Sequence, residues 1–151
     1  MPESNACFID SNIWLYAFIA DNTHKKDIAQ ALIKTSQPVI SGQVVNEVCV
    51  NLIKRVKFPE VKISELIETF YQKYEVVEGS KGMLLTASQL RREHALSYWD
   101  SLIVAAALTS EAKTLYSEDM QHGLVIRETL KIVNLFKAYL KQFDNFFGLF
   151  S

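Results

Sequence analysis

Cysteine is scarce in this chain. Only Cys7 and Cys49 occur, each in an apolar run, and no C-x-x-C or Cys/His ligand spacing accompanies them. A disulfide framework and a zinc site are thereby excluded, leaving two reduced, buried thiols as the expectation. Charge of one sign is missing too, since 16 Lys and Arg stand against 17 Asp and Glu for a formal net of −1. A protein that grips a polyanion by overall charge is ruled out, so any nucleic-acid contact must rest on local patches. No run approaches the ~18 apolar residues of a membrane span, and the start MPESNACFID lacks the basic and apolar regions of a secretory signal. A cytoplasmic chain without membrane contact is expected. Proline and glycine number three and five, and no repeat, low-complexity tract or linker interrupts the 151 residues.

What is present is the composition of a folded chain, 49% hydrophobic and 22% charged. The length suits one domain, 1–151, able to bury roughly 70% of its unfolded surface. The pattern begins with a short apolar strand, Ala6 to Ile9, closed by Asp10 and followed by a helix carrying Ile13, Leu15, Tyr16 and Phe18. A second helix is predicted over Asp27 to Ser36, a strand over Pro38 to Ile40, and a helix with Val44, Val45, Val48, Leu52 and Val56 that Pro59 ends. Val61 to Tyr74 is amphipathic, Glu75 to Glu78 a short strand, and Met83 to His94 helical. A helix from Ser97 is apolar on nearly every side over Leu102 to Leu108, so it belongs in the middle of the molecule. Thr114 to Ser117 is the next strand, and Leu124 through Val133 contains the last. Short apolar strands alternating with helices imply a parallel sheet covered on both faces, with ligands bound beyond the carboxyl ends of its strands.

Four acids occupy such positions. Asp10 follows the first strand, Asp119 lies just past the Thr114 to Ser117 strand, and Glu47 and Asp100 lie near the starts of two helices. At separations of ~5 Å each like-charged pair would cost about 3 kcal/mol at an effective dielectric near 20, so such a cluster must hold protons or bind cations. An oxygen-only set suits Mg²⁺ or Mn²⁺ and, with it, metal-assisted hydrolysis of a phosphodiester. Structural explanations compete: Asp10 as a helix N-cap, Asp119 as an Asx-turn residue, and Ser97 with Asp100 as a capping box. Glu47, surrounded by valines on a largely buried helix, needs a partner, and a cation is the best one. Asn51, Lys54 and Arg55 extend a stripe away from Glu47, and Arg91 and Arg92 form a second small patch. Either could guide an RNA backbone or merely solvate a helix end. Lys25 and Lys26 read as plain surface, and His24, His94 and His122 share no ligand spacing.

The blocks FIDSNIWLYAF, VVNEVCVNLIKR, LSYWDSLIVAAAL, LYSEDMQHG and LKIVNLF together resemble the PIN domain family, most of all its VapC-like toxin ribonucleases. The resemblance runs from Phe8 to Phe136. It implies an α/β fold, a three-layer α/β/α sandwich with a central five-stranded parallel sheet, and an acidic pocket for Mg²⁺ or Mn²⁺ formed by Asp10, Glu47, Asp100 and Asp119. Asn12 and Ser117 match the family's supporting polar positions, while Glu118 is expected to face solvent. The implied function is a metal-dependent endoribonuclease, the toxin of a toxin–antitoxin pair, with RNA as substrate, an antitoxin protein as partner and a homodimer as the assembly. The choice of RNA over DNA comes from the resemblance alone. A PIN-fold module that binds RNA or protein without cutting is the alternative. A phosphohydrolase of the haloacid dehalogenase class would need a second acid where Asp10-Ser11-Asn12 has none. Members often close with N-P-F, whereas this chain has Asn134-Leu135-Phe136 and continues into an aromatic-rich extension with Tyr139, Leu140, Phe143, Phe146, Phe147 and Phe150. That extension is expected to be helical to about Asp144, packed on its own domain or on a partner.

Overall fold

A computed structural model describes residues 6–19 and 21–138, so the extension beyond residue 138 lies outside the described residues. The element order is β1 (Ala6–Ile9), α1 (Ser11–Ile19), α2 (Thr23–Thr35), β2 (Gln37–Ser41), α3 (Gly42–Val56), α4 (Glu60–Lys73), β3 (Glu75–Val77), α5 (Lys81–Glu93), α6 (Tyr98–Thr109), β4 (Thr114–Tyr116), β5 (Val125–Ile126) and β6 (Leu130–Val133). The sheet runs β3-β2-β1-β4-β6-β5. Its first five strands in that order pair in parallel, as expected, and β5 adds an antiparallel edge against β6.

Several element ends differ from expectation for identifiable reasons. Helix α2 begins at Thr23 rather than Asp27, because Asn22 Oδ1 accepts from the free N–H groups of His24 and Lys25. Helix α3 stops before Pro59 is reached. Lys57 takes a left-handed conformation (φ 54°) and closes the helix with its N–H on the Ile53 carbonyl, while Pro59 opens α4. The last strand is in fact a hairpin, turned at Arg127 and Glu128 with φ of 49° and 64° and closed by Thr129 N on the Ile126 carbonyl.

The direction of travel across the sheet fixes where the helices lie. The chain steps from β1 through β2 to β3, then returns past β1 to β4. Right-handed crossovers therefore put α1 to α4 on one face and α5 with α6 on the other. Observed packing agrees, with α1 against α2 and α3, and α5 against α6. One continuous core results. Trp14 is its largest fully buried side chain, with its indole N–H on the Ile9 carbonyl (3.2 Å) and its ring edge-on to Phe70 and Tyr74, both at 5.1 Å. The α6 run Ile103–Ala107 is buried throughout, as its all-round apolarity requires. Cys7 is buried and Cys49 half-buried, both as free thiols. Among the described residues no helix is long and apolar enough to cross a membrane.

Candidate active site

The reversal between β1 and β4 is a switch point, where neighbouring chain segments leave the sheet in opposite directions and open a crevice beyond the strand ends. Asp10 and Ser117 stand there side by side. Asp10 extends β1 by one residue, its N–H on the Tyr116 carbonyl (3.0 Å), and Ser117 extends β4, its N–H on the Val133 carbonyl (3.0 Å). The Ser117 hydroxyl donates to Asp10 Oδ2 at 2.8 Å and accepts the Asp119 N–H at 3.3 Å, so it ties one acid to the turn that carries another. Asp10 Oδ1 takes the Ser11 N–H at 2.8 Å.

Asp10 is 5% exposed. Burial pushes its carboxyl up from 3.8 to about 6, and the charges of Glu47 and Asp100 push the same way, against the hydrogen bonds from Ser117 and Ser11. Asp100 is also raised, by burial first and then by Asp119 and Glu47, while the Ser97 hydroxyl opposes. Asp10 thus feels Glu47 and Asp100, and Asp100 feels Glu47 and Asp119, which links four acids from four separate segments electrostatically. The capping arrangement at Ser97 is half formed, with Ser97 Oγ accepting the Asp100 N–H at 3.1 Å.

Glu47 is half-buried rather than sealed in, and neutral donors serve it. Ser11 Oγ donates to Oε2 at 2.6 Å and Gln43 Nε2 to Oε1 at 2.8 Å. Asp119 Oδ2 accepts from Asn12 Nδ2 at 3.0 Å, and Asn12 Oδ1 takes the Glu118 N–H. Ser11 and Gln43 were not singled out from the sequence. Their signals are adjacency to Asp10 and the four-residue helical step before Glu47.

Other expectations change. Glu118 does not face solvent freely: it accepts from the Tyr16 hydroxyl at 2.9 Å and pairs with Lys25 at 3.3 Å. Lys25 is accordingly not plain surface, since its ammonium also lies over the Tyr16 and Phe136 rings. Arg91 points into the fold, donating to Ser101 Oγ at 2.7 Å and stacking on Tyr98, so the patch expected with Arg92 is reduced to Arg92. Asn51 turns its amide back to the Glu47 carbonyl at 2.8 Å, whereas Lys54 and Arg55 are exposed. His122 has a structural place, its Nδ1 accepting the Asn134 N–H. Asn134 then caps the closing helical turn through the N–H groups of Phe136 and Lys137, which lets Leu135 stand where a proline is common.

The donor chemistry fits a hard divalent cation. All four acids offer oxygen, two of them are held above the usual carboxylate range, and no Lys or Arg among the described residues pairs with any of the four. The side chains are not gathered into a finished cage. Among the described residues no group of three or more His, Cys, Asp or Glu has that geometry, and Ser11, Gln43, Asn12 and Ser117 donate to three of the four carboxylates.

Known proteins agree with this architecture. Similar solved structures include a toxin–antitoxin complex from Klebsiella pneumoniae (TM-score 0.65, 18% identity, covering 85% of this chain and 97% of that one). Another is VapC20 of Mycobacterium tuberculosis, described as a sarcin-ricin loop cleaving toxin (TM-score 0.60, 15% identity, 72% and 86% covered). A third is VapBC2 from Rickettsia felis bound to a DNA fragment from its promoter (TM-score 0.59, 21% identity, 85% and 99% covered). At these identities the likeness speaks for the fold. No curated protein matches the chain in sequence. The PIN domain family model matches residues 7–125, most of the chain, and the chain belongs to the PIN domain family.

Proposed function

We propose that the protein is a metal-dependent endoribonuclease, the toxin of a type II toxin–antitoxin pair acting in the cytoplasm. The observation that carries this reading is the electrostatic linkage of Asp10, Glu47, Asp100 and Asp119 beyond the β1 and β4 strand ends, with no Lys or Arg paired to any of them among the described residues. Asp10, Asp100 and Asp119 would hold Mg²⁺ or Mn²⁺. When bound, such an ion polarises a phosphodiester oxygen and makes a bound water a nucleophile at neutral pH. Glu47, held by Ser11 and Gln43, would complete a second position or orient the attacking water. Ser117 keeps the Asp10 carboxylate aimed out of the strand end, and Asn12 does the same for Asp119. Departure of the 3′ oxygen leaves a 5′ phosphate.

Likeness to toxin–antitoxin complexes supports an antitoxin as partner. For the homodimer, support comes from the exposed apolar side chains of Leu84, Leu85, Tyr98 and Trp99 on α5 and α6, surface of the kind a second copy covers. The test of the activity is cleavage of structured RNAs with Mn²⁺ or Mg²⁺ by the parent protein, Asp10→Asn and Asp100→Asn. Cutting by the parent alone is expected. Equal cutting by all three, or intact RNA throughout, overturns the reading.

A further inference from the structure

Beside Asp119 opens a cavity of about 220 Å³, walled by Leu15 and Ile19 of α1, Asp21 at the turn into α2 and Arg55 in the last turn of α3. It is smaller than the ~300–1,000 Å³ of a site that encloses a whole small molecule. One unit of a polymer, with the remainder outside, suits it better.

Much of the polar rim is already committed. Asn12 is bonded at both ends of its amide, to Asp119 and to the Glu118 N–H. Asn22 Oδ1 caps α2, and Glu118 is tied to Tyr16 and Lys25. Two charged groups remain. The side chains of Arg55 and Asp21 make no hydrogen bond or ion pair among the described residues, and both residues are exposed.

Charge decides which part of a nucleotide belongs here. Glu118 is balanced by Lys25 and Asp119 would be by its cation, so a phosphate in the cavity would meet the uncommitted carboxylate of Asp21 and the apolar walls of Leu15 and Ile19, with Arg55 alone in its favour. A neutral base escapes that repulsion, with its flat faces against Leu15 and Ile19, an acceptor edge on the guanidinium and an N–H edge on the carboxylate. Guanine carries both on separate edges, O6 and N7 for arginine and N1–H with the N2 amino group for a carboxylate. Adenine sets an amino donor beside its N7, against the guanidinium. Pyrimidines crowd their donors and acceptors onto one edge. Unpaired RNA bases are the ones available for such reading.

Resting on the ribonuclease reading above, we propose that this cavity seats an unpaired guanine adjoining the scissile phosphodiester, with Arg55 and Asp21 reading its two edges. Both residues are then specificity determinants rather than catalytic ones.

The test has a cleavage arm and a binding arm. Short single-stranded RNAs that differ only by G, A, C or U at each position around the cut are incubated with Mn²⁺ and the parent protein. A preference for G of about tenfold at one position is expected, the order of one well-made bidentate contact. Arg55→Ala and Asp21→Asn flatten that preference, with unchanged circular dichroism. In the second arm GMP, AMP, CMP and UMP are titrated into Asp100→Asn protein and followed by NMR shifts. GMP saturates at the lowest concentration, and adding Arg55→Ala removes its advantage. Cleavage indifferent to base, Arg55→Ala slowing all substrates alike, or nucleotides binding with equal strength overturns the proposal. Should no RNA be cut, the ribonuclease reading fails while the binding arm still decides the pocket.

Discussion

The Ser11 hydroxyl donates to Glu47 Oε2 at 2.6 Å and lies 3.5 Å from Asp10 Oδ1, so one small side chain bridges the acid at the end of β1 and the acid on α3. Helix α1 begins at Ser11, which places this hydroxyl at the mouth of the switch-point crevice. If the acids hold a cation, Ser11 sets the spacing between two of its ligands. Ser11→Ala is expected to weaken Mn²⁺ binding about 10-fold or more, the usual range for losing a partner that orients a ligand. Isothermal titration calorimetry measures this directly, and unchanged affinity would show that Ser11 merely fills a lone pair.

Asp10→Asn separates stability from activity. The amide keeps an acceptor for the Ser11 N–H and can donate to the Ser117 hydroxyl, while the cost of a buried charge disappears. In EDTA at pH 7.5 the variant is expected to unfold at a higher temperature than the parent and to cut no RNA. A lower unfolding temperature would mean that the carboxylate is structurally required.

The same carboxyl gives a pH dependence with a definite sign. Its folded value of about 6 lies above the ordinary 3.8, so between those values the folded chain binds more protons than the unfolded one. Its contribution is fully present below about pH 4 and is lost as pH rises through 6. The span corresponds to about 3 kcal/mol as an upper figure. Urea unfolding of the metal-free parent, minus that of Asp10→Asn across pH 4 to 7.5, should show the parent losing ground as pH rises. A flat difference curve would place Asp10 in a wetter setting than its 5% exposure indicates.

The β5–β6 hairpin offers a test away from the acids. Arg127 and Glu128 both sit at positive φ, a conformation that costs an L side chain roughly 1–2 kcal/mol. Arg127 is also held by Gln89 at 3.1 Å and by Glu93 at 3.7 Å, so Glu128 is the cleaner position. Glu128→Gly is expected to stabilise the protein by roughly 1 kcal/mol. Differential scanning calorimetry should show a rise of a few degrees.

Much of the site was legible because its logic is one of sequence order. A short apolar strand followed at once by Asp10, and Asp119 just past the Thr114–Tyr116 strand, needed only the rule that ligands bind beyond strand ends. Other features were hidden for physical reasons. The hairpin lacks the Asn-Gly signal of its turn, since Arg127 and Glu128 accept the strain themselves. Ser11 and Gln43 are ordinary polar residues whose importance appears only when α1 and α3 are packed together. The ring contacts of Lys25 and Arg91 are hidden because a basic residue in a sequence gives no hint of the aromatic side chain it will cover. The early start of α2 depended on Asn22, a capping residue outside the apolar pattern.

The two margins of the sheet are brief. β3 spans three residues, beginning with an exposed Glu75, and β5 spans two. An incoming chain would find too few open backbone groups there to zip onto, so fibrous self-association through the sheet is discouraged even at high expression levels.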